Sequence, residues 1–265
     1  MRRIAIIAVG LAALTLTACG DKETGQSVTG FTDAASLAGA VDKQTSSKQS
    51  ARVKFEITGE DGGTGEGVIR TGTDKAADIK YDSPDGPGRT VVTGDAIYVS
   101  LSQSEQRDLE VDKPWMRATR GSDDPAAQMM TALADVMVDY LDVAKTAAKF
   151  KASGTITSTT SDQVDGRPTT HFKIETDLAK LIEAEPNKYV KARLQELKDA
   201  GATTMPNELW VDADNLPVRQ VIHQPAGKET GALKATITFS DWGKPAAVTA
   251  PPAGEVVDAS EISGS

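Results

Sequence analysis

From Ser50 onward, apolar and polar positions alternate with period two. Val53, Phe55 and Ile57 take turns with Lys54, Glu56 and Thr58, the pattern of a strand with one covered and one wet face. The alternation returns at Ala77, Ile79 and Tyr81, at Thr170, Phe172 and Ile174, and at Ala235, Ile237 and Phe239. Further strands are expected at 65–71, 89–101, 208–212 and 217–224, with Lys113–Arg117 closing the first meander. Turn chemistry separates them: residues 60–63 (EDGG), 83–88 (SPDGPG), Gly94-Asp95, Asp165-Gly166 and Ala213–Leu216.

Helical spacing interrupts this pattern in three places. A short helix begins near Thr32 or Asp33, with Ala34, Leu37, Ala38 and Val41 on one face, and is expected to fade into the polar segment 42–49. Asp123-Asp124-Pro125 opens the strongest helix, because an Asp cap followed by Pro suits a first turn. Met129, Met130, Leu133, Val136, Met137, Tyr140, Leu141 and Ala144 then form a wide apolar stripe, with Lys145 and Lys149 in the last turns. A helical pair follows Thr176-Asp177, its second member running from Asn187 to a stop at Gly201. The order is helix, strands, helix, strands, helices, strands, with short turns between strands. That predicts an α+β fold: an antiparallel sheet with helices gathered on one face. The Met-rich helix is its natural cover.

The N-terminus is of another kind. Arg2 and Arg3 precede an apolar run from Ile4 to Leu16, too short to span a membrane. The run ends in Leu16-Thr17-Ala18-Cys19. A basic start, an apolar centre and a small-residue end describe a signal peptide over 1–18. The Leu-Thr-Ala-Cys ending resembles a bacterial lipobox, which implies a diacylglyceryl group on Cys19 and a chain held at the extracytoplasmic face of the cell membrane. Two acyl chains anchor stably where one does not. Residues 20–30 (GDKETGQSVTG) read as a flexible tether, residues 31–245 as the folded domain, and 246–265 as a Pro/Ala-rich, acidic tail, disordered beyond about Val257.

Composition narrows the function. The chain has 29 Lys+Arg against 38 Asp+Glu, and no basic block, which argues against a nucleic-acid partner. With Cys19 the single cysteine, no disulfide forms within the chain. Its two histidines, His171 and His223, fall in expected strands, and a zinc site needs three or four close ligands. Neither a Gly-x-Ser-x-Gly elbow nor a phosphate-binding glycine loop occurs. No catalytic site, metal or cofactor is expected.

The residues resemble the actinobacterial envelope lipoproteins of the LppX/LprA/LprF/LprG family, related in fold to LolA-type lipoprotein carriers. The resemblance rests on the lipobox, on residues 150–175 (FKASGTITSTTSDQVDGRPTTHFKIE), on 207–222 (NELWVDADNLPVRQVI) and on 245–252 (PAAVTAPP). It implies a strongly curved antiparallel sheet, like an incomplete barrel, with helices packed on its concave face. It also implies a hydrophobic cavity between them, in which several members bind acylated lipids or glycolipids and help move them across the envelope. A membrane transporter is a further partner of such a carrier.

Met is the adaptable apolar residue of promiscuous surfaces. On this reading Met129, Met130, Leu133, Met137 and Leu141 form one wall of the cavity. Val53, Phe55, Ile57, Ile79, Phe172, Ile174, Ile237 and Phe239 form the other, and Trp115, Trp210 and Trp242 are candidates for its rim, Trp242 foremost. The competing readings are a non-catalytic module that binds a protein partner, such as a transporter or sensor, and a hydrolase without a known signature. A carrier requires a lined interior cavity, a protein-binding module an exposed apolar patch on a filled core, and a hydrolase converging polar groups in a cleft.

Overall fold

The computed structural model describes residues 30–59, 62–228 and 230–263. The expected signal peptide, Cys19 and the tether up to residue 29 lie outside them. Among the described residues, twelve strands form a single sheet. They are β1 (Ser50–Thr58), β2 (Gly63–Arg70), β3 (Ala76–Ser83), β4 (Gly86–Val92), β5 (Ala96–Ser100), β6 (Trp115–Thr119), β7 (Gly154–Val164), β8 (Arg167–Asp177), β9 (Thr204–Val211), β10 (Pro217–Gln224), β11 (Leu233–Ser240) and β12 (Val256–Asp258). The helices are α1 (Ala34–Lys48), α2 (Gln103–Asp108), α3 (Pro125–Leu141), α4 (Val143–Ser153), α5 (Leu178–Ala184), α6 (Lys188–Asp199) and α7 (Ala259–Ser263).

The spatial order is β12-β6-β5-β4-β3-β2-β1-β11-β10-β9-β8-β7. Every pair is antiparallel except β12 with β6. The edges, β12 and β7, do not meet, so the sheet is curved but open. This is the α+β architecture that the sequence predicts. Among the described residues no helix is long and apolar enough to cross a membrane.

Glycines in β2 make room for the strands beside it. Gly63, Gly65 and Gly67 stand opposite Ile57, Phe55 and Val53 of β1, so the inner face of β2 carries almost no side chain there. A Cβ at Gly65 would lie 2.3 Å from the Phe55 ring, and one at Gly67 2.0 Å from the Asp78 carbonyl oxygen. On β4, a Cβ at Gly88 would lie 2.4 Å from the ring of Tyr81. Neighbouring backbones and rings therefore occupy the space that side chains would need.

The core lies between this inner face and the helices. Leu37 and Val41 of α1, Phe150 of α4, Phe172 and Ile174 of β8, Leu209 of β9 and Phe239 of β11 are all buried in one cluster.

Four elements differ from expectation. The single helix expected over the Met-rich stripe is two. Asp142 takes an extended conformation (φ −84°, ψ 93°); its backbone N–H still closes α3 on Val138, while its side chain accepts from the Ala144 N–H and caps α4. Lys145 and Lys149 thus belong to α4. Helix α1 does not fade at Asp42. Buried Thr45 donates to the Val41 carbonyl at 2.9 Å, and the helix ends only where Gln49 turns left-handed (φ 59°). Helix α2 was not expected at all, although Ser102 and Glu105 form a reciprocal capping box. The tail does not become disordered at Val257. It supplies β12 and α7, fastened by Arg117, whose Nε and Nη2 donate to Asp258 at 3.0 and 2.8 Å.

Candidate functional site

Helix α3 crosses the inner face as a bar, fixed at its first turns to β6 and α7 and at its last to α4. Near the start, Ala127 packs with Ala118 and Ala259 in a small separate cluster. Arg120 holds Asp135 through two bonds of 2.8 and 2.7 Å. Between these fixings Ala134 and Val138 enter the main core, while the flank of Leu133 and Met137 leaves a gap above β1, β11 and β10.

The gap is a cleft of about 370 Å3, within the range of about 300–1,000 Å3 usual for small-molecule sites. Its roof is Leu133, Val136, Met137, Tyr140 and Leu141, which share one face of α3 by helical spacing. Its floor is Phe55 and Ile57 of β1, Leu233, Ala235 and Ile237 of β11, and Ile222 and Gln224 of β10. Register explains the floor. Phe55 pairs with Ile237, Ile57 with Ala235, and Ala235 with Ile222. The small Ala235 lies between two isoleucines and leaves space where a larger residue would fill it. Only the Gln224 amide and the Tyr140 hydroxyl bring polar groups to this lining.

Of the residues expected to line a cavity, Phe55, Ile57, Leu133, Met137, Leu141 and Ile237 border this cleft. Val53, Ile79, Phe172, Ile174 and Phe239 do not; each is at most 1% exposed, in solid core. Their alternation is the same, but other side chains fill the space above them. Met130 packs in the small cluster beside Met116. Met129 is 54% exposed, one turn before Leu133, which is 58% exposed while touching the cleft. Val136, Tyr140, Ile222, Gln224, Leu233 and Ala235 also line the cleft but are not among the expected cavity residues. The helical stripe marked Val136 and Tyr140, but no local signal tells which strands lie beneath α3.

The tryptophans lie elsewhere. Trp242 donates to the Pro217 carbonyl at 2.9 Å and stacks on Phe239. Trp115 lies under Arg89, and Trp210 stacks on His171.

Beneath Val136 and Tyr140 the lining turns polar. A cavity of about 60 Å3 adjoins the cleft there and is lined also by Thr176, Lys149, Glu185 and Asn207. Lys149 pairs with the buried Glu185 at 3.1 Å. Burial, and then the Glu185 charge, raises the Tyr140 pKa. Burial likewise raises that of Asp142.

On the outer face both histidines converge on one carboxylate. His171 Nε2 and His223 Nε2 lie 2.8 and 3.0 Å from the two oxygens of Glu208. Burial acts against ionisation of Glu208, yet the bonds from His223 and His171 hold its pKa below the ordinary value. Among the described residues no group of three or more His, Cys, Asp or Glu is arranged to hold a metal.

LprF of Mycobacterium bovis superposes with a TM-score of 0.50 at 17% identity, over 82% of this chain and 96% of that one. The chain has the LprF-type fold. LppX of Mycobacterium tuberculosis gives a TM-score of 0.47 at 17% identity, over 81% of this chain and 98% of that one. In sequence, an uncharacterized 31.2 kDa protein of Streptomyces griseus is 26% identical over 201 residues, 74% of this chain. The match spans 64% of that protein's length. No protein-family model matches the chain.

Proposed function

We propose that this chain is an envelope lipoprotein, anchored through Cys19, that binds an acyl chain of a lipid or glycolipid under α3 and carries or presents it to a membrane transporter. The apolar cleft between α3 and strands β1, β11 and β10 carries this reading. Acyl chains need a long lining with few polar groups, and the roof and floor supply one. Each methylene taken from water contributes about 0.8 kcal/mol, so ten of them give roughly 8 kcal/mol, a micromolar scale before ordering costs. The headgroup stays outside the apolar lining. Residues 19–30 reach at most about 40 Å when extended, which confines the domain to the membrane surface and raises its encounter rate with lipid.

Met129 and Leu133 also suit a second reading, in which the exposed end of the α3 stripe receives a protein partner. Mass spectrometry separates the two. The full chain is purified from membranes of its native type of host, and organic extracts are read for co-purified lipid. A stoichiometric acylated lipid is expected. A lipid-free chain that also takes up none from vesicles would overturn the carrier reading in favour of the partner.

A further inference from the structure

A second cleft lies against the opposite flank of α3. The apolar cleft takes Leu133, Met137 and Leu141 of this helix; the second takes Asp135, Val138 and Asp139. Its volume is about 500 Å3, and Lys75, Thr93, Arg120 and Lys145 stand in its walls. It shares Asp139 and Asn187 with the small cavity under α3, which in turn shares Val136, Tyr140 and Ile222 with the apolar cleft. The three spaces thus follow one another beneath the helix, from apolar to charged.

The charges in the second cleft are unevenly satisfied. Asp135 is held by Arg120, and Asp139 pairs with Lys145. Asp142 lies outside this lining; its side chain caps α4, and burial favours its neutral form. Lys75 has no ion pair among the described residues and sits against Lys145 instead. Burial and that second ammonium both lower the Lys75 pKa; the charges of Asp139 and Asp142 offset them in part. Two adjacent ammonium groups repel, and each carries three donors. An oxyanion with several acceptor oxygens placed between them would relieve the repulsion and receive charge-assisted hydrogen bonds from both.

We propose that Lys75 and Lys145 bind a phosphate group in this cleft, either as a free anion or as the headgroup of a lipid whose chain lies on the other side of α3. The lipid form rests on the carrier reading above; the free-anion form does not.

The test uses the full chain and two probes. Calorimetry follows inorganic phosphate. Vesicle uptake compares phosphatidic acid with diacylglycerol of the same acyl chains. Variants Lys75→Gln and Lys145→Gln are paired with Lys75→Arg, and thermal unfolding checks that each is folded. As a headgroup site, the wild type takes up phosphatidic acid about tenfold better than diacylglycerol. Lys75→Gln removes that preference, Lys75→Arg keeps it, and diacylglycerol uptake does not change. As a free-anion site, inorganic phosphate binds and Lys75→Gln weakens it by a similar factor, with no lipid preference. Equal uptake of both lipids, together with phosphate binding that is absent or unaltered in both Gln variants, would overturn the proposal while leaving the apolar cleft standing. If neither lipid is taken up, the carrier reading fails and the phosphate titration alone decides the lysine site.

Discussion

Under α1 and α4 the inner face of the sheet presents Phe172 and Ile174, both at most 1% exposed and in one core with Leu37 and Phe150. Under α3 the same face presents Phe55, Ile57 and Ala235, which are only half-buried. The alternation along the strands is the same in both regions. The difference lies in the cover. Two helices meet over the first region and fill it; a single helix spans the second, packed through Ala134 and Val138 on one flank and leaving a gap on the other. The small Ala235 in the floor leaves that space open. An interior pattern therefore marks which face is covered, and the helix above decides whether the cover is tight.

The two regions should respond differently to substitution. Phe172→Ala should cost about 3–5 kcal/mol, since it removes a fully buried ring from a packed site, and a denaturant titration reads this. Gly67→Val should cost about 1–3 kcal/mol by forcing a side chain against the Asp78 carbonyl. Because β2 pairs with β1, which carries Phe55 and Ile57 of the cleft floor, lipid uptake should fall with the unfolding midpoint. Asp142→Ala should cost about 1 kcal/mol as a lost cap. Because Asp142 separates α3 from α4, that variant should change uptake more than its stability loss suggests.

Glu208, on the outer face, serves as a control for both regions. Its pKa is lowered in the folded chain. The stability it adds is present above its ordinary value of 4.5 and is lost as pH falls through the lowered one. Glu208→Gln should flatten that acid limb by less than about 1 kcal/mol and leave uptake unchanged. Leu133→Ser should shift stability by under about 0.5 kcal/mol, because the side chain is largely exposed, yet it should slow uptake from vesicles.

Strand positions, their inward faces and the hairpin turns were legible because each depends on neighbours within a few residues. Asp165 and Gly166, both at positive φ, form the turn their sequence announces. The join at Asp142 was hidden, because the apolar stripe continues across it and only the side-chain cap breaks the helix. β12 was hidden for a different reason. Three residues in a Pro-rich, acidic tail carry no strand pattern, and their order comes from β6 and from Arg117, far away in sequence. The site was half legible for the same cause. The roof of the cleft follows from helical spacing, whereas its floor depends on which strands register beneath α3, and Ala235 matters by being small.

The most direct test of an acyl chain under α3 is uptake by Ala235→Phe, which puts a ring into the cleft floor at a half-buried position. Native mass spectrometry after incubation with vesicles should show lipid on the wild type and none on Ala235→Phe, with unfolding midpoints that stay close. Equal lipid loading on both chains would contradict the account and place the ligand outside this cleft.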